Sequence, residues 1–224
     1  MELELRIFLT ETDVLRARDA GTALVLPCDA ELTPAARDAA CLHRVPLVGQ
    51  GAPSPSPAPA TPNVLPASWP CQAVALGCDH GGLDLKRALK SHLESLGYRV
   101  EDVGTHTTDA VDYPDIAEEV GRRVSEGRCA RGIVIDAAGI GSAIAANKVP
   151  GVRAANCRQL PEVENSRKHN DANVLSLGAR FVPVAEAKEL VRVFLATAFE
   201  GGRHLPRVQK MEALERKFRG GGGR

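Results

Sequence analysis

Residues 132–148 read GIVIDAAGIGSAIAANK. An apolar run, Gly132–Ile135, passes through Asp136 into a small glycine-bearing turn, Ala137–Gly141, and then into a helix start made of small residues. A buried strand handed to a helix by a tight turn is the repeating unit of a parallel sheet. The alternation continues in both directions. Upstream, Ala73–Cys78 is an apolar strand, followed by a helix with Leu85, Leu89, His92 and Leu96 on one face. Tyr98–Val103 is a second strand, and Pro114–Glu126 a helix with Ile116, Val120 and Val124 turned inward. Downstream, Val152–Ala155 and Asn173–Leu177 are further strands, each with a helix after it. The pattern predicts an α/β protein with a doubly wound, five-stranded, Rossmann-like parallel sheet covered on both faces. Ligands of such sheets sit at the carboxyl ends of the strands, so the chemistry is expected there.

The chain has 224 residues, 44% of them apolar and 25% charged, the balance of a globular protein with one ordinary domain and a small extra module. Net charge is zero and the basic residues are scattered, which speaks against nucleic-acid or membrane-surface partners. No apolar run approaches a bilayer span and Met1–Leu9 does not resemble a secretory leader, so a cytoplasmic protein is expected. Six cysteines, Cys28, Cys41, Cys71, Cys78, Cys129 and Cys157, show neither CxxC nor tight pairing and read as reduced thiols.

Gly49–Pro70 is rich in Pro, Ala and Ser and reads as a semi-extended tether, with Trp69 as an anchor near its end. It divides the chain into a small β/α module (1–48), the linker (49–70), the main domain (71–218) and a glycine-rich tail (219–224). In the module, Leu3, Leu5, Ile7 and Leu9 alternate as a half-buried strand, and Thr12–Ala20 is a short helix. Thr22–Leu26 is a strand, Thr33 caps a helix starting at Pro34, and Val45–Val48 closes the unit.

Several strand ends carry reactive or anion-binding side chains. Asp79 and His80 open a helix through Gly81 and Gly82, which suits proton transfer and anion binding. The alternative for Asp79 is a helix cap, with His80 on the surface. Asp136 precedes the GxG of Gly139 and Gly141, whose backbone N–H groups can face a negative ligand, and its alternative too is an N-cap. A dinucleotide fingerprint is not complete, because Ile144 stands where GxGxxG needs its third glycine. Lys168–Asp171 follows the fourth helix, and Leu177–Arg180 ends the fifth strand. Arg203 and Arg207, four apart, would share one helical face as a phosphate clamp.

Residues 73–215 resemble the ribose-5-phosphate isomerase B and galactose-6-phosphate isomerase family through GCDHGG, DYPD, GIGSAIAANKVPGVRAA, KHNDANVLSLGAR and EGGRHLPRV, in order and spacing. The resemblance implies a metal-independent aldose–ketose isomerase without cofactor, acting on a phosphorylated sugar such as ribose 5-phosphate. It implies dimers or tetramers whose active sites are shared between subunits. By that resemblance Asp79 and His169 open the sugar ring, and His80, Arg203 and Arg207 bind phosphate. Arg180 comes from the neighbouring subunit, Tyr113 lines the sugar site, and Asn170 binds sugar hydroxyls. The turn containing Gly139 and Gly141 supplies donors for the enediolate oxygen. Asp136 occupies the position where many members carry a catalytic Cys, and Ala138 that of a Thr; others carry a Glu base near Ser142. Two readings follow: Asp136 serves as the base, or it is a cap in a silent subunit that pairs with an active isomerase. Gln159–Glu162 departs from the family's usual Tyr-Ser pair and is where sugar selectivity is expected to shift.

Residues 4–48, through FLTETDVLRARDAG and LVLPCDAELTPAARDAA, are similar to the N-terminal segment of ethanolamine-utilisation cobalamin adenosyltransferases of bacterial microcompartment loci. That similarity implies an association role, with a shell or cargo partner and a place inside such a compartment.

Overall fold

The computed structural model describes residues 7–27, 30–43, 45, 47–49 and 73–219. The chain divides into two compact units, residues 1–62 and 63–224. The tether beyond Gly49, Trp69, Leu3, Leu5, Cys28, Cys71 and the tail from Gly220 lie outside the described residues.

In the first unit β1 (Ile7–Leu9), α1 (Glu11–Asp19), β2 (Leu24–Leu26), β3 (Ala30–Leu32), α2 (Pro34–Leu42) and β4 (Leu47–Gly49) follow one another. β1 pairs with β3 and β2 with β4, both in parallel. Thr33 caps α2 through Oγ1, which accepts from the Ala36 N–H at 3.2 Å. Val14, Ala17, Ala36, Ala39, Ala40 and Val45 are buried together. Alanine supplies four of these six residues, so the core is shallow and its stabilisation small. β3 has no counterpart in the sequence reading, because a three-residue AEL segment shows no periodicity. Gly49, read as the start of the tether, ends β4 instead.

The second unit holds the five-stranded sheet: β5 (Ala73–Cys78), β6 (Arg99–Asp102), β7 (Arg131–Asp136), β8 (Ala154–Asn156) and β9 (Val174–Gly178). Their order across the sheet is β6-β5-β7-β9-β8, and every pair is parallel. Every residue of β5 and β9 is buried, as strands covered on both faces require. α3 (Leu83–Ser95), α6 (Leu160–Lys168) and α7 (Val184–Ala196) pack Leu89, Leu93, Val163, Leu190 and Phe194 on one face, against Leu76, Ile133 and Leu175. α4 (Tyr113–Ser125) and α5 (Ile140–Ala146) cover the other face through Ala117, Val120 and Ala146. Two glycines let α4 lie close: a Cβ on Gly77 would stand 2.7 Å from Ile116 and Val120, and one on Gly132 would stand 2.7 Å from Val120. A final helix, α8 (Leu205–Arg219), follows a 3-10 turn at Gly202–His204. No described helix is long and apolar enough to cross a membrane.

A buried ion pair ties the loop after β6 to α3. Lys86, 2% exposed, gives Nζ to Asp102 Oδ1 at 2.7 Å and to the Thr105 carbonyl at 2.7 Å. Burial pushes the Asp102 carboxyl up, but the Lys86 ammonium and the Gly104 N–H outweigh it and hold it below its ordinary value. Asp102 therefore contributes stability above its unfolded pKa of about 4, and that contribution is lost as pH falls through the lower folded value. The urea midpoint is expected to drop as pH falls below about 4, with a shallower drop in Asp102→Asn. Identical slopes in the two proteins would contradict this account of the pair.

Candidate active site

β5 and β7 are neighbours whose onward connections leave in opposite directions, so their carboxyl ends flank the switch point of the sheet. Asp79 directly follows β5 and Asp136 ends β7, and the Asp79 N–H donates to the Ile135 carbonyl at 3.1 Å. The two carboxylates occupy different surroundings. Asp79 Oδ1 accepts from the Gly81 N–H at 2.8 Å. Burial raises its proton affinity, the nearby Asp136 charge adds to that, and the Gly81 bond and His80 offset only part of it.

Asp136 is 5% exposed and its carboxylate is enclosed. Oδ1 accepts from the N–H groups of Ala138, at 2.6 Å, and of Gly139. Oδ2 accepts from the Ser142 N–H at 3.0 Å and the Ser142 hydroxyl at 2.6 Å. Burial opposes ionisation, yet these donors prevail and lower the pKa. Two expectations change here. The turn's N–H groups at Ala138, Gly139 and Ser142 do not face a substrate oxygen, because Asp136 takes them. Asp136 is not a free base, because both its oxygens are engaged. The Ser142 side chain completes this cap.

Other residues gather on the same rim. Gly139 has a left-handed φ of 78°, as the turn into α5 demands. The Tyr113 ring lies against Gly141, where a Cβ would come within 2.6 Å of it. His80 is exposed, and its Nδ1 accepts from the Val111 N–H at 3.4 Å, which leaves the ring proton on Nε2, facing away. The Arg180 N–H donates to the Ala137 carbonyl at 3.1 Å, which keeps that exposed arginine on this rim too. The neighbouring Cys78 thiol is buried and pushed up to about 11, so it supplies no thiolate.

His169, Asn170, Arg203 and Arg207 are elsewhere. α6 runs back against the strand direction, so its carboxyl end, His169, reaches the amino edge of the sheet before β9 begins at Val174. Five strand residues then lead to Gly178, which pairs with Asp136. At roughly 3.3 Å per residue, about 13 Å of strand separates the two rims. Lys168–Asp171 is thus not at a carboxyl strand end, and one chain does not bring His169 to Asp79. A helix that runs back along the sheet ends on the amino rim, unlike a strand, whose end lies on the carboxyl rim. Nor do Arg203 and Arg207 share one α-helix: Arg203 lies in the 3-10 turn and Arg207 in α8.

The amino rim has its own organisation. Asp171 adopts a left-handed φ of 47°, unusual for a non-glycine residue. Its carboxylate is bracketed by Arg153, Nη2 to Oδ2 at 2.7 Å, and Arg167, Nη1 to Oδ1 at 2.8 Å. This clamp fixes the backbone next to His169 and Asn170. Glu200 N–H donates to the Lys168 carbonyl at 3.1 Å, and the His169 and His204 rings stack at 4.0 Å. Nε2 of each histidine stands 3.9 Å from Glu200 Oε2. Among the described residues these three side chains could bring ligand atoms within 4.8 Å of one another. The rings are only 7° from parallel, however, and two parallel rings do not aim their in-plane lone pairs at one ion. Asn170 borders a cavity of about 620 Å³ between the amino rim and α8, with Arg153, Ser166, Met211 and Phe218 in its wall. Sequence reading missed the Asp171 clamp, Glu200 and His204; an Asp just past a helix end is the one local signal for the clamp.

A parallel sheet with paired carboxylates at its switch point and basic side chains at both rims suits proton transfer on an anionic substrate. The chain belongs to the Ribose/Galactose Isomerase family, whose model matches residues 74–211. Ribose-5-phosphate isomerase B of Escherichia coli K12 is 42% identical over 144 residues, 64% of this chain and 97% of the relative. A D-erythrulose-4-phosphate isomerase of Pectobacterium atrosepticum is 37% identical over 144 residues, 64% of this chain and 95% of that one. The solved ribose-5-phosphate isomerase B of Clostridium thermocellum superposes with a TM-score of 0.64 at 47% identity, covering 65% of this chain and 99% of that one.

Proposed function

We propose that the protein is a metal-independent aldose–ketose isomerase converting ribose 5-phosphate to ribulose 5-phosphate through an enediolate, at a site completed by a second copy of the chain. The observation that carries this reading is the divergence of the two carboxylates at the switch point. Asp79 is driven towards higher proton affinity by burial, and Asp136 is driven lower by its four donors. Carboxylates pushed apart in this way divide acid–base work between them. Asp79 takes the proton from C2 and returns it at C1, while Asp136 holds the turn into α5 in shape. His80, with its Nε2–H turned outward, binds the phosphate together with Arg203 and Arg207 of the second copy. Tyr113 and Asn170 contact the sugar, His169 acts at the ring oxygen, and Arg180 crosses between copies. Binding energy from the remote phosphate holds C1 and C2 against Asp79.

A second reading is favoured by one observation: Asp136 consumes the N–H groups of Ala138, Gly139 and Ser142, which reduces the donors left for an enediolate oxygen. On that reading the chain is a silent sugar-phosphate-binding subunit of an active isomerase. Turnover of ribose 5-phosphate by the purified protein supports the first reading. No turnover on ribose, galactose or tetrulose phosphates, with binding that still needs Arg203, supports the second. For residues 1–48 we propose association with a bacterial microcompartment shell or cargo protein. Deletion of that segment is expected to abolish co-sedimentation with intact compartments and spare turnover.

A further inference from the structure

Resting on the reading that His169 acts on the bound sugar, the geometry points to Asn165 as a positioning residue that holds His169 in the tautomer with its proton on Nε2. Asn165 and His169 are four residues apart at the end of α6, a spacing that brings side chains together over one helical turn. The Asn165 carboxamide Nδ2 lies 3.0 Å from His169 Nδ1. An amide nitrogen only donates, so Nδ1 is the acceptor and the proton resides on Nε2. A second contact favours the same state. His169 Nε2 faces Glu200 Oε2 at 3.9 Å, and a carboxylate prefers an N–H to a lone pair. His169 thus presents Nε2–H as its donor edge. In that state it donates a hydrogen bond to the ring oxygen of a closed sugar as the C1–O bond breaks. The proton on the C1 hydroxyl leaves to a base on the opposite rim, and the former ring oxygen takes a proton from water while His169 holds it by a hydrogen bond. The base returns its proton to the hydroxide so formed, which balances the opening.

The test uses full-length protein with 15N-labelled histidine, the His169 signals being assigned through His169→Gln. In the wild type, Nδ1 is expected to appear as the unprotonated nitrogen and Nε2 as the protonated one. Asn165→Asp, which can only accept, should draw the proton to Nδ1, and Asn165→Leu should give a mixture. With ribose 5-phosphate, kcat should fall about 100-fold or more in Asn165→Asp and roughly tenfold in Asn165→Leu, with KM changed by less than about twofold. A packing role alone would leave the nitrogen signals where they were. A wild-type spectrum with the proton on Nδ1, or variants that leave the tautomer unchanged, overturns the inference. Tautomers that shift as expected without loss of turnover sustain it and instead reject His169 as the ring-opening group.

Discussion

Asp79→Asn is expected to lower kcat for ribose 5-phosphate by about two to four orders of magnitude, the usual worth of a positioned proton carrier. KM should change little, since the phosphate contacts proposed for His80, Arg203 and Arg207 are untouched by it. Asp136→Ser is the informative comparison. Serine can still cap the turn with one oxygen, and it releases backbone N–H groups that Asp136 now occupies. Turnover in Asp136→Ser should remain within about tenfold of the wild type, because what changes is a cap and not the base. Collapse in Asp136→Ser with Asp79→Asn nearly unaffected would return the base to Asp136 and refute the division of labour proposed for the two carboxylates. The distinction is physical. Both Asp136 oxygens accept hydrogen bonds and its proton affinity is lowered, whereas burial raises that of Asp79.

The largest loss of stability is expected from Asp171→Ala. Arg167 is 1% exposed, and Asp171 is the carboxylate that answers its guanidinium. Truncation leaves a buried cation with carbonyl partners only and leaves Arg153 with Glu212 as its remaining carboxylate, at a cost on the order of 3 kcal/mol. Alanine also fits the left-handed backbone at this position poorly. A fall in Tm of roughly 6–12 °C should follow for a unit of this size. Asp171→Asn, which tolerates that backbone and keeps an acceptor for Arg167, should recover part of the loss. Equal melting of Asp171→Ala and the wild type would show that the carbonyls of Thr197 and Ala172 suffice for Arg167.

The sheet was legible because its strands are buried on both sides and say so: AVALGC, GIVID and NVLSL are apolar runs bounded by turns. Thr33 before Pro34 announced a helix start for the same kind of local reason. Spatial order across the sheet, and hence which residues share a rim, is a tertiary property that no local pattern encodes. Lys168–Asp171 shows the consequence. Its chemistry was readable, but its placement depended on α6 running back along the sheet. Asp136 shows a different limit. Base and cap are the same residue type at the same position, and only the direction of the surrounding N–H groups separates them. The Asp171 clamp needs Arg153 and Arg167 from two elements and was beyond sequence reading for that reason.

With Asp79 on one rim and His169 and Arg203 on the other, two copies are proposed to complete each site. That arrangement is tested most directly by a hybrid dimer, co-expressed with two tags and purified by both, of Asp79→Asn with Arg203→Ala. Each parent variant should be nearly inactive. In the hybrid one site collects both lesions and the other collects none, so about half of the wild-type turnover per dimer is predicted. A hybrid that assembles and stays as inactive as its parents would show that both residues serve the same site within one chain, and would contradict the account.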